Sequence, residues 1–413
     1  MRPFPIIFSF VVMLFGFTPS ATAYRLSFAS PPPDWSALDA WQGTMSREAF
    51  LHRLETVYAP GGASSETIRV EATAAYIRTR ASQPHAYYRL AFAEGGGAEV
   101  AAKPVIFPGG RLAGSHIVID PGHIGGDWAE LEQRSFRIGD DPPVREGDWV
   151  LLVAQRLRHL LEAEGVQVTL VREANEPVTS ARPADFFAAA AQQLGRPAPE
   201  TGEEPKPDIR RRAELLFYRS AEIRARADLI DRLPQPADLI LCLHINAAAW
   251  PDPENPSLVD EDHLHILVNG AYSREELALD DQRWQMLRRL LRRLDDNERI
   301  AARALADAMA EKTGLPPFTY RSPVAVNIDG HPYIWARNLA ANRLFDGPVL
   351  FLEPWVANSH SAYARLQMGH YEGHRMIDGE PRLSIVEEYA QSVLSGLRRL
   401  AAEPPPTPED AQP

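Results

Sequence analysis

The pattern of apolar and polar positions changes character near Ser115. From there on, short apolar runs alternate with longer amphipathic stretches of helical period. The runs predicted as strands are "HIVID", "VQVTLVR", "ADLILCLHINA" and "GPVLFLE". The main stretches predicted as helices are "EGDWVLLVAQRLRHLLEAEG", "RRRAELLFYRSAEIRARADLIDRL", "NERIAARALADAMAEKTG" and "RLSIVEEYAQSVLSGLRRLAAE". This alternation predicts an α/β fold in which a mostly parallel, twisted sheet is flanked by helices.

The segment before this alternation, residues 24–112, has a mixed pattern. An amphipathic stretch, "SREAFLHRLETVYAP", precedes two strand-like runs, and the segment closes on "GGGAEVAAK", which is typical of a linker. We therefore expect a small N-terminal α+β domain of unknown role, followed by a larger domain over 113–402. The stretches 181–208 and 251–297 are too long for compact loops and predict insertions in the larger domain. Residues 403–413 have the composition of a disordered tail.

The second long stretch contains "WQMLRRLLRRLDD", a basic amphipathic sequence. In a single helix, Leu287, Leu290, Leu291 and Leu294 would share one face. Such a helix can bind a membrane surface or a partner, but we favour a packed surface helix. A helix in this insertion could also lie over a functional cleft and restrain it, which would make the insertion a contact for a regulatory partner.

The first residues have the three parts of a secretory signal peptide. Arg2 is followed by an apolar run to Phe17 and by the small residues of "ATA", which end at Ala23. A transmembrane anchor is the alternative, but the run is shorter than the roughly 20 residues that a spanning helix needs. We expect residues 1–23 to be cleaved and the protein to be exported to the periplasm or the extracellular space.

Composition narrows the classes of function. The formal charge of −12, from 55 acidic and 43 basic residues, argues against a general nucleic-acid binder. The single cysteine, Cys242, excludes an intrachain disulfide. Stability must therefore come from packed cores.

Three predicted strands lead directly to a residue that binds metals or moves protons. His123 follows "VIDPG", His244 follows "LCL" and Glu353 follows "LFL", while Glu146 starts a predicted helix. Ligands gather at the carboxyl ends of the strands in an open α/β sheet, so neighbouring strands would bring these side chains together. Two imidazoles and a carboxylate, with a fourth position left to water, make a catalytic zinc site, and a further carboxylate can move the proton of that water. We hypothesise Zn²⁺ on His123, Glu146 and His244, with Glu353 as the base.

Each of these residues alone is a weak signal, because a histidine at a strand end is more often structural. The ordered combination strengthens the hypothesis, and Asp120 is expected to brace the turn before His123. Another pair, His263 and His265 in "DHLHILV", alternates along a predicted strand. These two histidines could bind a metal together, but we favour the face of an edge strand.

Four segments in order resemble the motifs of the zinc-dependent N-acetylmuramoyl-L-alanine amidases of the amidase 3 family. They are "IVIDPGHIGG", "REGDWVLLVAQRLRHLLEAEGVQVTLVRE", "ADLILCLHINAAA" and "GPVLFLEPWVANS". The resemblance extends from Ser115 to about Leu400 and leaves out the N-terminal segment. It implies a phosphorylase/hydrolase-like α/β fold and hydrolysis of the amide between muramic acid and L-alanine in peptidoglycan. It also implies an insertion near 128–145, between the first two motifs.

The resemblance assigns roles to individual residues. His123, Glu146 and His244 match the metal ligands, and Glu353 matches the catalytic glutamate. Asn246 matches the asparagine of the family's His-x-Asn motif, where it is expected to support the metal site, contact the substrate or simply cap the strand end. Arg337 matches an arginine before the last strand that is expected to contact the substrate. The family usually has Gly-Phe soon after its glutamate, whereas this chain has Pro354-Trp355.

The sequence thus predicts an exported zinc amidase whose partner is peptidoglycan, and we expect a monomer. A zinc peptidase that acts on cell-wall peptides would use the same four residues. A cell-wall binding module with a vestigial site is the non-enzymatic alternative. The intact set of His123, Glu146, His244 and Glu353 argues against it.

Overall fold

The computed structural model describes residues 24–94, 107, 110–200, 202–252, 255–377 and 379–402. The predicted signal peptide and the predicted disordered tail lie outside the described residues. Within the described part of the chain, no helix is both long and apolar enough to span a membrane.

The strands are β1 Ile68–Val70, β2 Ala74–Arg78, β3 Tyr87–Ala91, β4 His116–Pro121, β5 Ser135–Phe136, β6 Val144–Arg145, β7 Gln167–Leu170, β8 Leu239–Leu243, β9 Leu264–Val268, β10 Val326–Asn327, β11 Ile334–Ala336, β12 Val349–Pro354, β13 Arg375–Ile377 and β14 Glu380–Arg382. The α-helices are α1 Arg47–Arg53, α2 Trp128–Leu131, α3 Glu146–Ala163, α4 Phe187–Gln193, α5 Pro207–Leu216, α6 Glu222–Asp231, α7 Arg274–Leu277, α8 Asp280–Leu291, α9 Leu294–Thr313, α10 Ala340–Leu344, α11 His360–Gln367 and α12 Ile385–Ala402.

The central sheet of the described residues has seven strands in the order β10-β11-β9-β12-β8-β4-β7. Strand β8 is parallel to both β4 and β12, and β4 is parallel to β7. Strand β9 runs antiparallel to β12. The predicted α/β fold with a mostly parallel sheet is therefore confirmed, and β4, β8 and β12 are neighbours whose carboxyl ends lie at the same edge.

Both faces of the sheet are covered, which explains why these strands read as unbroken apolar runs. On one face, Ile117 and Leu241 pack in the same core as residues of α3, α9 and α12. On the other face, Val118 and Ile240 pack with residues of α6 and α10. The sheet is thus packed on both sides and holds the residues at its carboxyl edge in fixed positions.

The N-terminal residues form α1 and a separate sheet in the order β1-β2-β3. They share the main core with the larger part of the chain. Arg53 forms ion pairs with Asp295 and Asp296 of α9, and the Tyr272 amide donates to the Tyr58 carbonyl at 2.7 Å. The division into two domains near residue 112 stays a prediction.

The stretch 251–297, predicted as an insertion, forms regular structure over much of its length, and its being an insertion stays a prediction. It supplies β9, an interior strand of the central sheet, together with α7 and α8. Leu287 and Leu290 of α8 are fully buried in the main core, which confirms packing over membrane binding. Leu294 does not lie on the same helix as the other three leucines, because Arg293 has a left-handed φ of +56° and separates α8 from α9. A regulatory partner for this stretch stays a prediction.

The other two expected insertions also have structure of their own. Residues 181–208 include α4, whose Ala190 and Ala191 pack against α5. Residues 128–145 form α2 and the antiparallel hairpin of β5 and β6. This hairpin lies at the carboxyl edge of the sheet and contributes to the site described next.

Candidate active site

His123 lies just beyond the end of β4, where the chain turns away from the sheet. Its φ of +57° is in the left-handed region, which a residue other than glycine adopts only rarely. The preceding Gly122 lets the turn pass close to His244, because a Cβ atom there would lie 2.2 Å from His244 Cε1. The turn therefore sets the two imidazoles side by side, with ring centroids 5.0 Å apart.

Two buried arginines hold this turn in place. Arg226 of α6 donates to the carbonyls of Pro121 at 2.9 Å and His123 at 2.7 Å. It also forms an ion pair with Asp120 at 2.8 Å. Arg172 donates to the Pro121 carbonyl from the β7 side at 3.1 Å. These contacts offset the strain of the left-handed residue, and Asp120 braces the turn through Arg226.

Glu146 is the first residue of α3, and its carboxylate lies between the two imidazoles. Oε2 is 3.2 Å from Nε2 of His123, and Oε1 is 2.9 Å from Nδ1 of His244. One donor atom from each of these three residues lies within 4.8 Å of the other two. Among the residues that the structure describes, no other group of three or more His, Cys, Asp or Glu side chains has this spacing.

The start of α3 can approach the His123 turn only because residue 147 is glycine. A Cβ atom on Gly147 would lie 2.4 Å from the backbone nitrogen of Gly125. The short "REGD" sequence therefore does more than begin a helix. It places the Glu146 carboxylate against the end of β4.

Glu132 is a functional residue that the sequence analysis missed. Its Oε1 lies 3.5 Å from Nδ1 of His123, and its Oε2 accepts the Ile124 amide at 2.8 Å. Metal-binding histidines commonly give their second ring N–H to a carboxylate, which fixes the tautomer and the ring orientation. Glu132 is placed to do this for His123. It lies in the stretch 128–145, predicted as an insertion, where no motif of the sequence marks it.

The carboxylates at the centre of the site favour a cation beside them, whether a proton on His123 or a metal ion. Burial opposes a charge on His123, but the Glu146 and Glu132 carboxylates outweigh it and raise the His123 pKa to about 9. Burial lowers the pKa of His244 below its ordinary value. Burial also opposes the charge of Glu146, yet the two imidazoles hold the pKa of its carboxyl well below the usual range. Glu146 is therefore ionised, as a metal ligand must be.

Glu353, near the end of β12, faces the same cleft. Burial and the nearby Glu146 carboxylate raise its pKa to about 8, against a smaller opposing influence from His123, Arg134 and Arg337. A carboxyl group with a pKa near neutrality can both accept and return a proton.

The cleft has a volume of about 250 Å³. One wall is aromatic, with the rings of Phe136 and Trp250 5.3 Å apart and Tyr363 packed behind Phe136 at 6.0 Å. Phe136 belongs to β5, so the hairpin of residues 135–145 forms part of this wall. Pro354 and Trp355 do not line the cleft, and Trp355 is buried against Tyr389.

The two predicted substrate contacts are placed differently. Asn246 lines the cleft, and its Nδ2 pairs with Nε2 of His263 at 2.9 Å. Arg337 is not among the lining residues; its guanidinium lies 5.9 Å from the centre of the Tyr320 ring. Substrate contact by either residue stays a prediction.

His263 and His265 form a second histidine pair beside the cleft. Their interpretation as an edge-strand face is wrong, because β9 lies between β11 and β12. His265 is directly opposite Glu353 in the register of β9 and β12, and its Nε2 is 3.1 Å from the Tyr320 hydroxyl. Burial lowers the pKa of His263 to about 4, and burial with the neighbouring His263 and Arg337 lowers that of His265 to about 3. Both imidazoles are therefore neutral.

The donor set of His123, Glu146 and His244 fits zinc, which takes imidazole nitrogen and carboxylate oxygen ligands. The close spacing of the three donor atoms, the glycine at 122 and the brace on His123 all support this fit. The second pair lacks a carboxylate and does not fit it.

Comparison with known proteins found one family model that matches part of the chain. Residues 117–257 match the model of the amidase 3 family, N-acetylmuramoyl-L-alanine amidase, which confirms the resemblance over this range. The match includes His123, Glu146 and His244, whereas Glu353 lies beyond it. No curated protein sequence matches the chain.

Solved structures of low sequence identity also resemble the chain. The N-acetylmuramyl-L-alanine amidase Ami1 from Mycobacterium smegmatis is 15% identical, with 70% of this chain and 98% of that one covered and a TM-score of 0.38. The CwlD amidase from Clostridioides difficile, solved with the GerS lipoprotein, is 12% identical, with 69% and 98% covered and a TM-score of 0.38. The catalytic domain of CwlV from Bacillus (Paenibacillus) polymyxa var. colistinus is 14% identical, with 68% and 96% covered and a TM-score of 0.35.

Proposed function

We propose that the protein is a zinc-dependent N-acetylmuramoyl-L-alanine amidase that hydrolyses the amide between N-acetylmuramic acid and L-alanine in peptidoglycan. The observation that carries this proposal is the convergence of His123, Glu146 and His244 within 4.8 Å, in a segment that matches the amidase family. Glu353 lines the same cleft and provides the proton-transfer group that the reaction needs.

His123, Glu146 and His244 would hold the metal. Zinc, when bound there, would supply a Lewis acid that polarises the scissile carbonyl and lowers the pKa of a water molecule. Glu132 fixes the ring of His123, and Phe351 stacks on His244 at a centroid distance of 4.1 Å. These contacts hold both imidazoles in place before a ligand arrives.

Glu353 is the residue that moves the proton. Its carboxylate takes a proton from the attacking water and returns it to the nitrogen of the leaving L-alanine, so that the amine departs neutral. The surroundings suit both steps, since the raised pKa of Glu353 keeps its two protonation states close in energy near neutral pH. The aromatic wall of Phe136 and Trp250 offers a surface for the apolar face of a sugar ring.

Peptidoglycan lies outside the cytoplasm, so the proposed substrate agrees with the predicted signal peptide over residues 1–23. We propose that the protein is exported. Expression of the full chain with an N-terminal processing assay would test this: a mature N-terminus near residue 24 supports export, and an unprocessed cytoplasmic chain contradicts it.

The function is tested by measuring metal content and peptidoglycan digestion on the same preparations. Wild type should contain about one zinc per chain and release intact stem peptides with a free L-alanine amine, identified by mass. His244→Ala should lose both the metal and the activity. Glu353→Gln should keep the metal and lose activity by about 10²–10⁴-fold, the usual contribution of a general acid–base group.

Other products would contradict the proposal. Cuts within the stem peptide would identify a peptidase. Binding to peptidoglycan without any release of fragments by the zinc form would identify a binding module. Full activity of Glu353→Gln would remove the assigned role of that residue while leaving the metal site intact.

A further inference from the structure

Arg134 lies at the cleft and belongs to none of the predicted motifs. Its backbone is fixed on both sides, because its amide donates to the Ala129 carbonyl at 2.7 Å and its carbonyl accepts the Glu146 amide at 3.1 Å. The hairpin of β5 and β6 begins at the next residue and closes by pairing Ser135 with Arg145. The Cα atom of Arg134 is thereby held beside the candidate metal ligand Glu146.

The side chain of Arg134 points at the candidate ligands. Its Nε lies 3.2 Å from Nε2 of His123 and 3.6 Å from Oε2 of Glu146. Its charge also reaches Glu353, whose pKa it lowers in part. The side chain remains 43% exposed, so the guanidinium lies on the open side of the site, where a substrate must enter.

The contact with His123 cannot persist when that imidazole holds a cation. Nε2 of His123 has one lone pair, which cannot accept a hydrogen bond from Arg134 and bind a metal at the same time. The other hydrogen bond of Arg134 goes to the carbonyl of its neighbour Gln133 at 3.1 Å. Among the described residues, Glu146 is the one carboxylate within 4.0 Å of Arg134. In the loaded site, Glu146 would remain the one carboxylate of the described residues within reach of Arg134, and most of the five N–H donors of the guanidinium would face the open side of the site.

We propose that Arg134 is a specificity-determining residue that binds a carboxylate on the stem peptide of the substrate. This inference rests on the proposed amidase function. A guanidinium binds a carboxylate through two parallel hydrogen bonds, which a carboxamide cannot replace at full strength. The enzyme then prefers stems with a free carboxylate near the scissile bond over stems in which that group is amidated.

The first arm of the test compares two soluble muropeptides that differ only at the second stem residue, which carries either a free α-carboxylate or its amide. Wild type should cleave the carboxylate form with a kcat/KM about 10–100-fold higher, the range expected of a charge-assisted hydrogen bond. Arg134→Ala should lose this preference through a higher KM for the carboxylate form. Arg134→Lys should retain part of it. Arg137→Ala is the matched control, since Arg137 is exposed on the same hairpin and should leave the preference unchanged.

The second arm measures zinc affinity by competition with a chromogenic chelator and needs no activity. Arg134→Ala should bind zinc more tightly than wild type, by about 10-fold or less, because it removes a cation and a competing donor from the site. Unchanged or weaker zinc binding overturns the placement of the guanidinium over the ligands.

The kinetic outcomes separate this inference from the proposed function. Equal loss of kcat on both muropeptides would show that Arg134 acts at the reacting carbonyl and would overturn its role in selection. Equal wild-type rates on the two substrates would overturn the selection while leaving the amidase function intact. Wild-type failure to cut either substrate, with zinc bound, would overturn the proposed function itself.

Discussion

The protein contains two pairs of histidines near the carboxyl edge of one sheet, and their environments are opposite. His123 and His244 have Glu146 between them, and His123 also contacts Glu132. His263 and His265 are surrounded by aromatic rings, with Phe318 at centroid distances of 4.5 Å and 5.0 Å. The carboxylates raise the pKa of His123 to about 9, whereas burial lowers the pKa of His265 to about 3.

This difference shows that the carboxylates, and not the histidines, define the candidate metal site. A buried imidazole without an anionic partner is stable only when neutral, and it then packs as an aromatic ring. Two ligating nitrogens on one strand face are therefore insufficient. The anion supplied by the start of α3 is what makes the first pair suited to a cation.

The largest effect is expected from removing the negative charge of Glu146. Glu146→Gln keeps the shape of the side chain but removes its charge, so the first pair should lose zinc altogether. The affinity should fall by more than the roughly 10–100-fold that loss of an outer partner costs. His265→Phe is the control, since it alters the second pair and should keep about one zinc per chain. The zinc content of the two variants would be measured after dialysis.

Retention of zinc by Glu146→Gln would mean that the metal is held elsewhere. Loss of zinc from His265→Phe in a folded protein would mean that the second pair contributes to binding. Either result would contradict the division between the two pairs. Circular dichroism of each variant would establish that it is folded.

A smaller effect is expected from the brace on His123. Glu132→Gln leaves the three ligands in place and weakens only the orientation of one ring, so zinc affinity should fall by about 10–100-fold. Competition with a chelator would measure it. A matched control is Glu130→Gln, because Glu130 lies on α2 nearby and is exposed. Equal affinities for both variants would contradict the assigned role of Glu132.

Much of this site was predictable because β4, β8 and β12 appear in the sequence as unbroken apolar runs. Each run leads directly to a residue that can bind a metal or move a proton. His123, His244 and Glu353 follow from that rule, and Glu146 follows from the start of α3. The order of parallel strands then brings them together without further information. The same rule would not find Glu132 or Arg134, since they lie between α2, a helix of four residues, and β5, a strand of two residues. These elements are too short to leave a pattern.

The environment of β9 was not predictable for a different reason. The two histidines of "DHLHILV" are separated by one apolar residue, an alternation that fits an edge strand. The strand nevertheless inserts between β11 and β12. Its antiparallel pairing with β12 depends on contacts distant in sequence. The position of His265 opposite Glu353 is therefore a property of the assembled sheet and could not be read from local periodicity.

The smallest expected effect concerns the pH dependence of the second pair. The folded-state pKa of His265, about 3, lies below the value of about 6.5 for an unfolded chain. Above pH 6.5 both states are neutral and stability does not depend on this group. Below pH 6.5 the unfolded chain binds a proton that the folded protein refuses, so the free energy of unfolding falls by up to about 1.4 kcal/mol per pH unit.

In His265→Phe, position 265 can no longer bind a proton in the unfolded chain, and an aromatic ring remains beside Phe318 and Tyr320. Nδ1 of His265 has no hydrogen-bond partner among the described residues, so the replacement should cost about 1 kcal/mol or less at pH 7 through the lost contact with Tyr320. Urea unfolding of the two proteins should give nearly equal stabilities at pH 7, and the variant should gain steadily on wild type as the pH falls from 6.5 to 4.5. Because the carboxylates titrate in both proteins, their contributions cancel in the difference. A difference that does not change with pH would mean that His265 is protonated in the folded protein, and the two histidine pairs would then not differ in charge.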